Sequence, residues 1–190
     1  MIIMKVLLLA KESVRLPLII GELEKVALPV VVLENNKKRR KRVLYKRFEK
    51  NPVKLLNQLL FILLSKIKLD SSVIINQRLK LTKFKRVTPN VLAKFENINS
   101  EDSIKFISNI DCDYILLAGV GILSKKLLGS LEVPVVNCHF GITPKYRGVH
   151  GGFYAQRSSD YTRFGITYHF VDSGIDTGKV IRYVFDESYR

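Results

Sequence analysis

Runs of apolar residues alternate with helix-like segments through the first part of the chain. Ile3 to Ala10 is a nearly continuous apolar run, as expected of a strand covered on both faces. A helix is predicted from Ser13 to about Val26, and Leu28 to Leu33 forms a second, valine-rich run. A strand, a helix and a strand in this order predict a parallel sheet.

Shorter elements continue this alternation towards the carboxyl end. A helix is predicted from about Asn99 to Asn109, with two acidic residues in its first turn, and a short helix is predicted after Ser124. Strands are predicted at Val73–Ile75, Asp113–Ala118, Pro134–Cys138, Val180–Phe185 and the G-I-T-Y-H-F stretch that begins at Gly165. With 190 residues and no internal repeat, one domain is expected.

Residues 35–70 interrupt the pattern with a strongly basic stretch. Lys37 to Lys54 contains ten basic residues and one acid, and so holds nine of the fifteen net positive charges. Blocks of like charge are usually solvated, so a solvated arm or helix face is the first expectation. An anionic membrane surface and nucleic acid are the alternatives, and we regard nucleic acid as disfavoured.

A helix follows the basic stretch at Val53 to Lys68, and apolar residues cover most of its surface. Such a helix is about 25 Å long, shorter than the ~30 Å core of a bilayer. It also carries Lys54 and Asn57 in its first half, so a membrane span is disfavoured. We expect it to pack on its own domain. Pairing in a homodimer and peripheral membrane contact through residues 37–68 stay open as alternatives.

Several classes of protein lack support in the sequence. The turn after the first strand, A-K-E-S, has neither the G-x-G-x-x-G nor the G-x-x-x-x-G-K-S/T pattern of nucleotide-binding loops. Cys112 and Cys138 have no zinc spacing, and we expect no metal. The apolar start lacks the basic leader of a signal peptide, so a core strand is favoured. A cytoplasmic location is expected, with a membrane-peripheral one as the alternative.

Candidate chemistry concentrates between Pro134 and Gly178. Asn137 and His139 lie on one face at the end of a predicted strand, with Cys138 on the other face. Ligands of open α/β sheets bind at such ends. An amide can hold a developing oxyanion and an imidazole can move a proton. A loop-capping amide and a core histidine are the structural alternatives, and Cys138 is interpreted as a small buried hydrophobe.

The loop from Gly141 to Gly152 holds four glycines and several candidate binding groups. Tyr146, Arg147 and His150 are our candidates for contacts to a substrate, and Arg147 could fix a carboxylate or phosphate through two hydrogen bonds. A plain surface turn is the alternative.

Two aspartates follow in the sequence V-D-S-G-I-D-T-G. Asp172 precedes Ser-Gly, which is ordinary turn chemistry. Asp176 follows the apolar Ile175 and is the better catalytic candidate. His169, inside a predicted strand, is interpreted as structural. The segment Gly119 to Gly121 ends another strand without bulky side chains, so a ligand can come close there.

These motifs, N-C-H-F-G-I-T-P-K-Y-R-G followed by G-I-T-Y-H-F-V-D-S-G-I-D-T-G, resemble the signature of the 10-formyltetrahydrofolate-dependent formyltransferases. The segment Y-I-L-L-A-G-V-G-I-L-S is similar to that family's folate-facing strand and loop. The resemblance runs from about Asp113 to Ile181. It implies a Rossmann-like three-layer α/β sandwich with a mostly parallel central sheet, with 10-formyltetrahydrofolate as the co-substrate.

The resemblance also implies roles for individual residues. Asn137 and His139 would hold the formyl oxygen as it becomes an oxyanion, and Asp176 would pair with His139 and help to take the proton of the attacking amine. The pterin pocket would be lined by the backbone of Val120, Gly121, Ile122, Leu123, Val171, Asp172, Ser173 and Gly174.

The chain departs from the family pattern in several places. Gly-Ile-Thr-Pro stands at Gly141 to Pro144, where the family usually has Ser-Leu-Leu-Pro. The loop after the first strand lacks a phosphate cradle, which disfavours glycinamide ribonucleotide. The absence of a tRNA-binding domain after the last strand disfavours initiator tRNA. We expect one catalytic domain over residues 1–190, with an insertion at about 35–70, and the end at Arg190 suggests a minimal or truncated version.

The resulting expectation is formyl transfer to a primary amine of a small molecule, either an amino sugar or an amino-acid-like metabolite. One alternative is a formyltetrahydrofolate hydrolase, in which water replaces the amine. Another is a catalytically idle domain that binds a membrane or RNA through its basic segment.

Overall fold

The computed structural model describes residues 4–13, 16–35 and 90–186, together with positions 52, 53, 56, 57 and 60. The strands are β1 (Met4–Lys11), β2 (Ala27–Glu34), β3 (Val91–Phe95), β4 (Tyr114–Ala118), β5 (Val135–His139), β6 (Gly165–Phe170) and β7 (Val180–Phe185). The helices are α1 (Leu16–Leu23), α2 (Glu101–Ser108), α3 (Lys125–Gly129) and α4 (Gly151–Arg157), with a 3₁₀ turn at Tyr161–Arg163.

The described strands form one sheet in the order β3-β2-β1-β4-β5-β6-β7. The five strands from β3 to β5 are parallel to their neighbours, whereas β6 runs antiparallel to β5 and β7 antiparallel to β6. The chain leaves β1 towards β2 on one side and returns to β4 on the other. The carboxyl ends of β1 and β4 therefore form a topological switch point.

The alternation of side chains along β1 divides the core into two layers. Leu7 and Leu9 pack with residues of α2 and α3, among them Ile104 and Leu127. Leu8 and Ala10 pack on the opposite face with residues of α1. Both faces of β1 are covered by helices, and for this reason its sequence is a continuous apolar run. This arrangement confirms the predicted three-layer α/β sandwich.

Side-chain caps place the two short helices as predicted. The hydroxyl of Ser100 accepts a hydrogen bond from the backbone of Ser103 at the start of α2, and Ser124 does the same for Leu127 in α3. The helix α1 is shorter than predicted, since Val26 donates to the carbonyl of Leu23 and tightens the chain into a turn.

Two elements were not predicted from the sequence. The strand β3 lies at the sheet edge with alternating half-buried and exposed residues, so it has no continuous apolar run. The helix α4 opens with Gly151 and Gly152 and has no side-chain cap, so the usual start signal is missing.

Most of the predicted basic and apolar insertion, as well as the strand candidate at Val73–Ile75, lies outside the described residues. The five described positions between 52 and 60 are helical. Their apolar side chains Val53, Leu56 and Leu60 are exposed. Within the described part of the chain, no helix has both the length and the apolar character needed to cross a bilayer.

Candidate functional site

The antiparallel pairing of β5 and β6 assembles the polar site. Asn137 lies directly opposite His169, and His139 lies opposite Thr167. Residues opposite each other in antiparallel strands project on the same face. Asn137 and His139 share this face with Val135, which belongs to the core layer under α2 and α3. Four polar side chains thus point to one side of the sheet at the carboxyl end of β5.

Asp176 completes the site from the loop after β6. Its Oδ2 lies 3.3 Å from Nδ1 of His139 and accepts a 2.7 Å hydrogen bond from the backbone of Gly148. Its Oδ1 lies 3.4 Å from Nδ2 of Asn137 and 3.5 Å from Nε2 of His169. The side chain is only 12% exposed. Asp176 also has a φ of +50°, a left-handed conformation that is uncommon outside glycine.

The imidazole of His139 is fixed from its other side by a backbone carbonyl. Its Nε2 lies 2.6 Å from the carbonyl oxygen of Tyr146, and a carbonyl only accepts, so Nε2 carries a hydrogen and donates it. A Cβ at Gly141 would clash with that oxygen and lie 2.8 Å from Nε2, and a Cβ at Gly151 would lie 2.5 Å from the same oxygen. Two glycines therefore make the space for this bond.

The side chain of Tyr146 is anchored separately. It is buried, and its hydroxyl donates a 2.8 Å hydrogen bond to Oδ2 of Asp160. Asp160 also accepts hydrogen bonds from Lys145, Thr162 and Arg163. Hydrogen bonds from Lys145 and Tyr146 hold the pKa of Asp160 well below its usual range. The anchor is thus a charged carboxylate over the whole neutral range.

His169 and Asn137 form a second pair within the site. The Nδ1 of His169 donates to the carbonyl oxygen of Phe170 at 2.7 Å. The Nε2 of a neutral His169 is then an acceptor, and Nδ2 of Asn137 lies 3.3 Å from it. The amide of Asn137 therefore donates two long hydrogen bonds, one to the imidazole of His169 and one to the carboxylate of Asp176.

Thr167 ties the following loop to the sheet. It is fully buried, and its hydroxyl donates to the carbonyl of Gly141 at 2.7 Å and accepts from the backbone of Thr143 at 3.2 Å. The base of the loop is therefore fixed to the strand that carries His169.

The candidate substrate-contact residues have different surroundings. Arg147 and His150 are exposed beside Gly148, and His150 adopts a left-handed φ of 80° at the start of α4. Tyr146, in contrast, is 7% exposed and its hydroxyl is engaged by Asp160. Its described contacts lead to His139 through the backbone and to Asp160 through the hydroxyl.

Asp172 takes the turn position that the sequence indicated, whereas Cys138 is half-buried and not buried as expected. Burial raises the pKa of the half-buried Cys138 thiol, so it stays protonated at neutral pH. Oδ1 of Asp172 accepts from Thr177 at 2.7 Å and from the backbone of Gly174 at 2.9 Å. These bonds lower the pKa of Asp172 and confirm its turn role.

A cavity of about 470 Å³ lies beside the site. Its walls include Leu128 and Leu131 near α3, together with Val135, which precedes Asn137 by two residues. The loop after β6 contributes Val171, Asp172 and Ser173, three of the eight residues expected to line a pterin pocket. The volume lies within the range of small-molecule sites.

Of the other five residues of the expected pocket, Gly174 lies in the loop after β6, and Val120 to Leu123 belong to the irregular segment after β4. None of the five is among the residues that line this cavity. Two side chains from elsewhere hold this segment. Asn99 donates to the carbonyl of Ile122 and accepts from the backbone of Ser124, at 2.9 and 2.7 Å. Glu34 accepts from the backbone of Gly121 at 2.9 Å. Ile122 is 71% exposed and Leu123 is buried, so the segment has one exposed apolar side chain next to one in the core, and its backbone is fixed by Asn99 and Glu34.

The sequence did not predict which groups His169, Asp160 and Glu34 contact. A single histidine in a strand is usually structural, but Thr167 and His169 repeat the two-residue spacing of Asn137 and His139. That repeat was the available signal for the pairing. The partners of Asp160 and Glu34 are distant in sequence or buried, and no pattern along the chain indicates them.

The fold and the site define an open α/β protein with a polar site at the carboxyl ends of its parallel strands. A family model described as "Formyl transferase" matches residues 4–184. The chain belongs to the formyl transferase family.

Individual relatives show the extent of the likeness. The methionyl-tRNA formyltransferases of Finegoldia magna and Methylacidiphilum infernorum are 30% and 37% identical to this chain over 87 residues, or 45% of its length. The matches cover only 28% and 27% of those proteins. The crystal structure of phosphoribosylglycinamide formyltransferase from Streptococcus pneumoniae superposes with a TM-score of 0.57 at 20% identity, covering 96% of this chain and 81% of that one. At this identity the structural likeness concerns the fold.

Proposed function

We propose that the protein transfers a formyl group from 10-formyltetrahydrofolate to the primary amine of a small molecule, an amino sugar or an amino-acid-like metabolite. The observation that carries this proposal is the carboxylate of Asp176 between Asn137 and His139. One of its oxygens faces the amide at 3.4 Å and the other faces the imidazole at 3.3 Å. Two groups that can donate hydrogen bonds to an oxyanion and a carboxylate that can take a proton thus meet at one strand end.

The chemistry assigns a task to each group. The amine nitrogen forms a bond to the formyl carbon, and the carbonyl electron pair moves onto oxygen. Nδ2 of Asn137 donates to that oxygen, and the imidazole of His139 would donate to it from Nδ1, because its Nε2–H is held by the carbonyl of Tyr146. Asp176 takes a proton from the attacking nitrogen. The electron pair on oxygen then re-forms the carbonyl, the bond between the carbon and the folate nitrogen breaks, and Asp176 passes its proton to that nitrogen as it leaves. Removing an oxyanion donor typically costs ~10²–10³ in rate, and removing a proton carrier ~10²–10⁴.

The cavity beside Asn137 suits the pterin part of the co-substrate. Apolar side chains such as Leu128 and Val135 can cover the faces of a flat ring system. Asp172 and Ser173 bring polar groups to its edge. Ligand sites of this kind combine apolar walls with a few placed polar groups.

The test is turnover of 10-formyltetrahydrofolate with a panel of primary amines, read by release of tetrahydrofolate and by mass spectrometry of the formylated product. We expect release to depend on an amine. Release without any amine would support a hydrolase that uses water, and absence of folate binding would overturn both enzymatic assignments.

Three variants assign the roles. We expect Asn137→Ala, His139→Ala and Asp176→Asn to lower kcat by at least about 10²-fold while the protein stays folded. Cys138→Ala is the matched control, because Cys138 lies between two of these residues on the opposite face, and we expect its kcat to stay within about twofold of wild type. Near-normal turnover in any of the three would remove that residue from the mechanism.

A further inference from the structure

Glu34 is a buried carboxylate that the proposed reaction does not use. It is the last residue of β2, and its side chain is fully buried. Among the described residues, its Oε1 has no hydrogen-bond partner. A buried carboxylate with an unpartnered oxygen is costly to maintain, so its position calls for an explanation.

The partners of Glu34 are the groups that would bind an anionic ligand. Its Oε2 accepts from the backbone N–H of Gly121 at 2.9 Å and lies 3.7 Å from Nζ of Lys11. Lys11 is the last residue of β1 and is directly in register with Glu34. A backbone N–H and an ammonium group at strand ends typically hold a phosphate or carboxylate of a ligand.

Glu34, Lys11 and Gly121 lie at the switch point of the sheet. Gly121 follows β4, and β1 lies between β2 and β4. Glu34 and Asn137 both project towards the core layer under α2 and α3, since Val32 and Val135 of the same strands belong to it. Neighbouring strands are about 4.8 Å apart, and Asn137 is level with Val32, two residues before Glu34. Three strand spacings and this offset place Glu34 roughly 16 Å from Asn137. A ligand with its amine at Asn137 would extend along this edge.

We propose that Glu34 fills the anion-binding position of the switch point with the protein's own carboxylate. It is a specificity-determining residue that restricts the acceptor to amines with no phosphate or carboxylate in this part of the molecule. The restriction on the acceptor rests on the proposed formyl transfer. The contacts of Glu34 with Lys11 and Gly121 do not depend on that proposal.

The experiment follows the backbone amide of Gly121 by ¹H–¹⁵N NMR during titration with inorganic phosphate at constant ionic strength. We expect no shift of this signal in the wild-type protein. Glu34→Gln removes the charge and Glu34→Ser removes the whole carboxylate, and in both we expect a saturable shift with a Kd in the millimolar range. Adding Lys11→Met to either variant should weaken that binding at least about tenfold. Glu132→Gln, which removes an exposed charge elsewhere, should behave as wild type.

A phosphate-dependent shift of Gly121 in the wild-type protein would overturn the proposal, as would its absence in both folded variants. If neither variant folds, the wild-type titration decides by itself: no shift supports a filled site and a shift contradicts it. No formyl transfer is measured, so failure of the proposed reaction and failure of this inference give different results.

Discussion

Gly141 shows how one residue sets the geometry of the site. Any Cβ at this place would collide with the carbonyl of Tyr146 and approach Nε2 of His139. The hydrogen bond between these two groups therefore depends on the missing side chain. The glycine at position 141 is therefore what allows the imidazole of His139 to take its orientation.

Gly141→Ala is expected to displace either the carbonyl or the imidazole. Overpacking of this kind costs about 1–3 kcal/mol of stability, and a misplaced catalytic group can cost about 10²-fold in kcat. The measurements are urea unfolding and turnover. Gly129→Ala is the matched control, because a Cβ at Gly129 meets nothing within 4 Å, and it should leave both values near wild type.

His169 is expected to orient the amide of Asn137 rather than to exchange protons. Replacing it with Gln should lower kcat by about two- to tenfold, the equivalent of one neutral hydrogen bond, with little change in KM for the folate. Steady-state kinetics against both substrates check this. A loss as large as that of Asp176→Asn would show instead that His169 takes part in the chemistry.

At the scale of elements, the loop after β5 is held at its base and at its middle. Thr167 fixes its base to β6 through Gly141 and Thr143. Asp160, after α4, fixes its middle through Tyr146 and Lys145. The sheet and a helix terminus thus position a glycine-rich segment that would otherwise have great conformational freedom.

The anchor at Asp160 predicts a pH-dependent contribution to stability. Its pKa is lowered in the folded protein by hydrogen bonds from Lys145 and Tyr146, so the folded state binds this proton less readily than the unfolded chain does. The contribution is therefore complete above the unfolded pKa of about 3.9 and is lost as the pH falls below it.

Asp160→Asn should be less stable than wild type at pH 7, and the difference should shrink as the pH falls from about 5 to 3. Urea unfolding of both proteins at several pH values measures it. Glu132→Gln serves as the control and should follow the wild-type pH dependence. A difference between Asp160→Asn and wild type that is constant with pH would contradict a role for the carboxylate charge.

At the scale of the whole molecule, folate binding should stabilise the fold. A ligand present at 100 times its Kd adds about 2.7 kcal/mol, so tetrahydrofolate should raise Tm by several degrees. Leu128→Gln, in the wall of the cavity, should reduce this rise. Leu92→Gln, exposed on the edge strand β3, should keep it. Equal shifts in the two variants would place the folate elsewhere.

The sequence by itself determined the parallel part of the fold except for the edge strand β3, which has no continuous apolar run. The apolar runs of β1, β2 and β4 are continuous because both faces of these strands are buried, and that pattern is visible along the chain. The caps at Ser100 and Ser124 are equally local, since each satisfies a backbone group three residues away. The spacing of Asn137 and His139 also predicted their common face, since side chains alternate along any strand.

Only the tertiary structure decided what these residues meet. The register of β5 against β6 puts His169 beside Asn137, and the folding of the loop brings the carbonyl of Tyr146 to His139. Glu34 meets Gly121 across 87 positions of sequence. Such contacts depend on strand order and loop closure, which no local periodicity encodes. The sequence therefore shows which chemical groups the site contains, and the packing of distant segments determines how those groups are arranged.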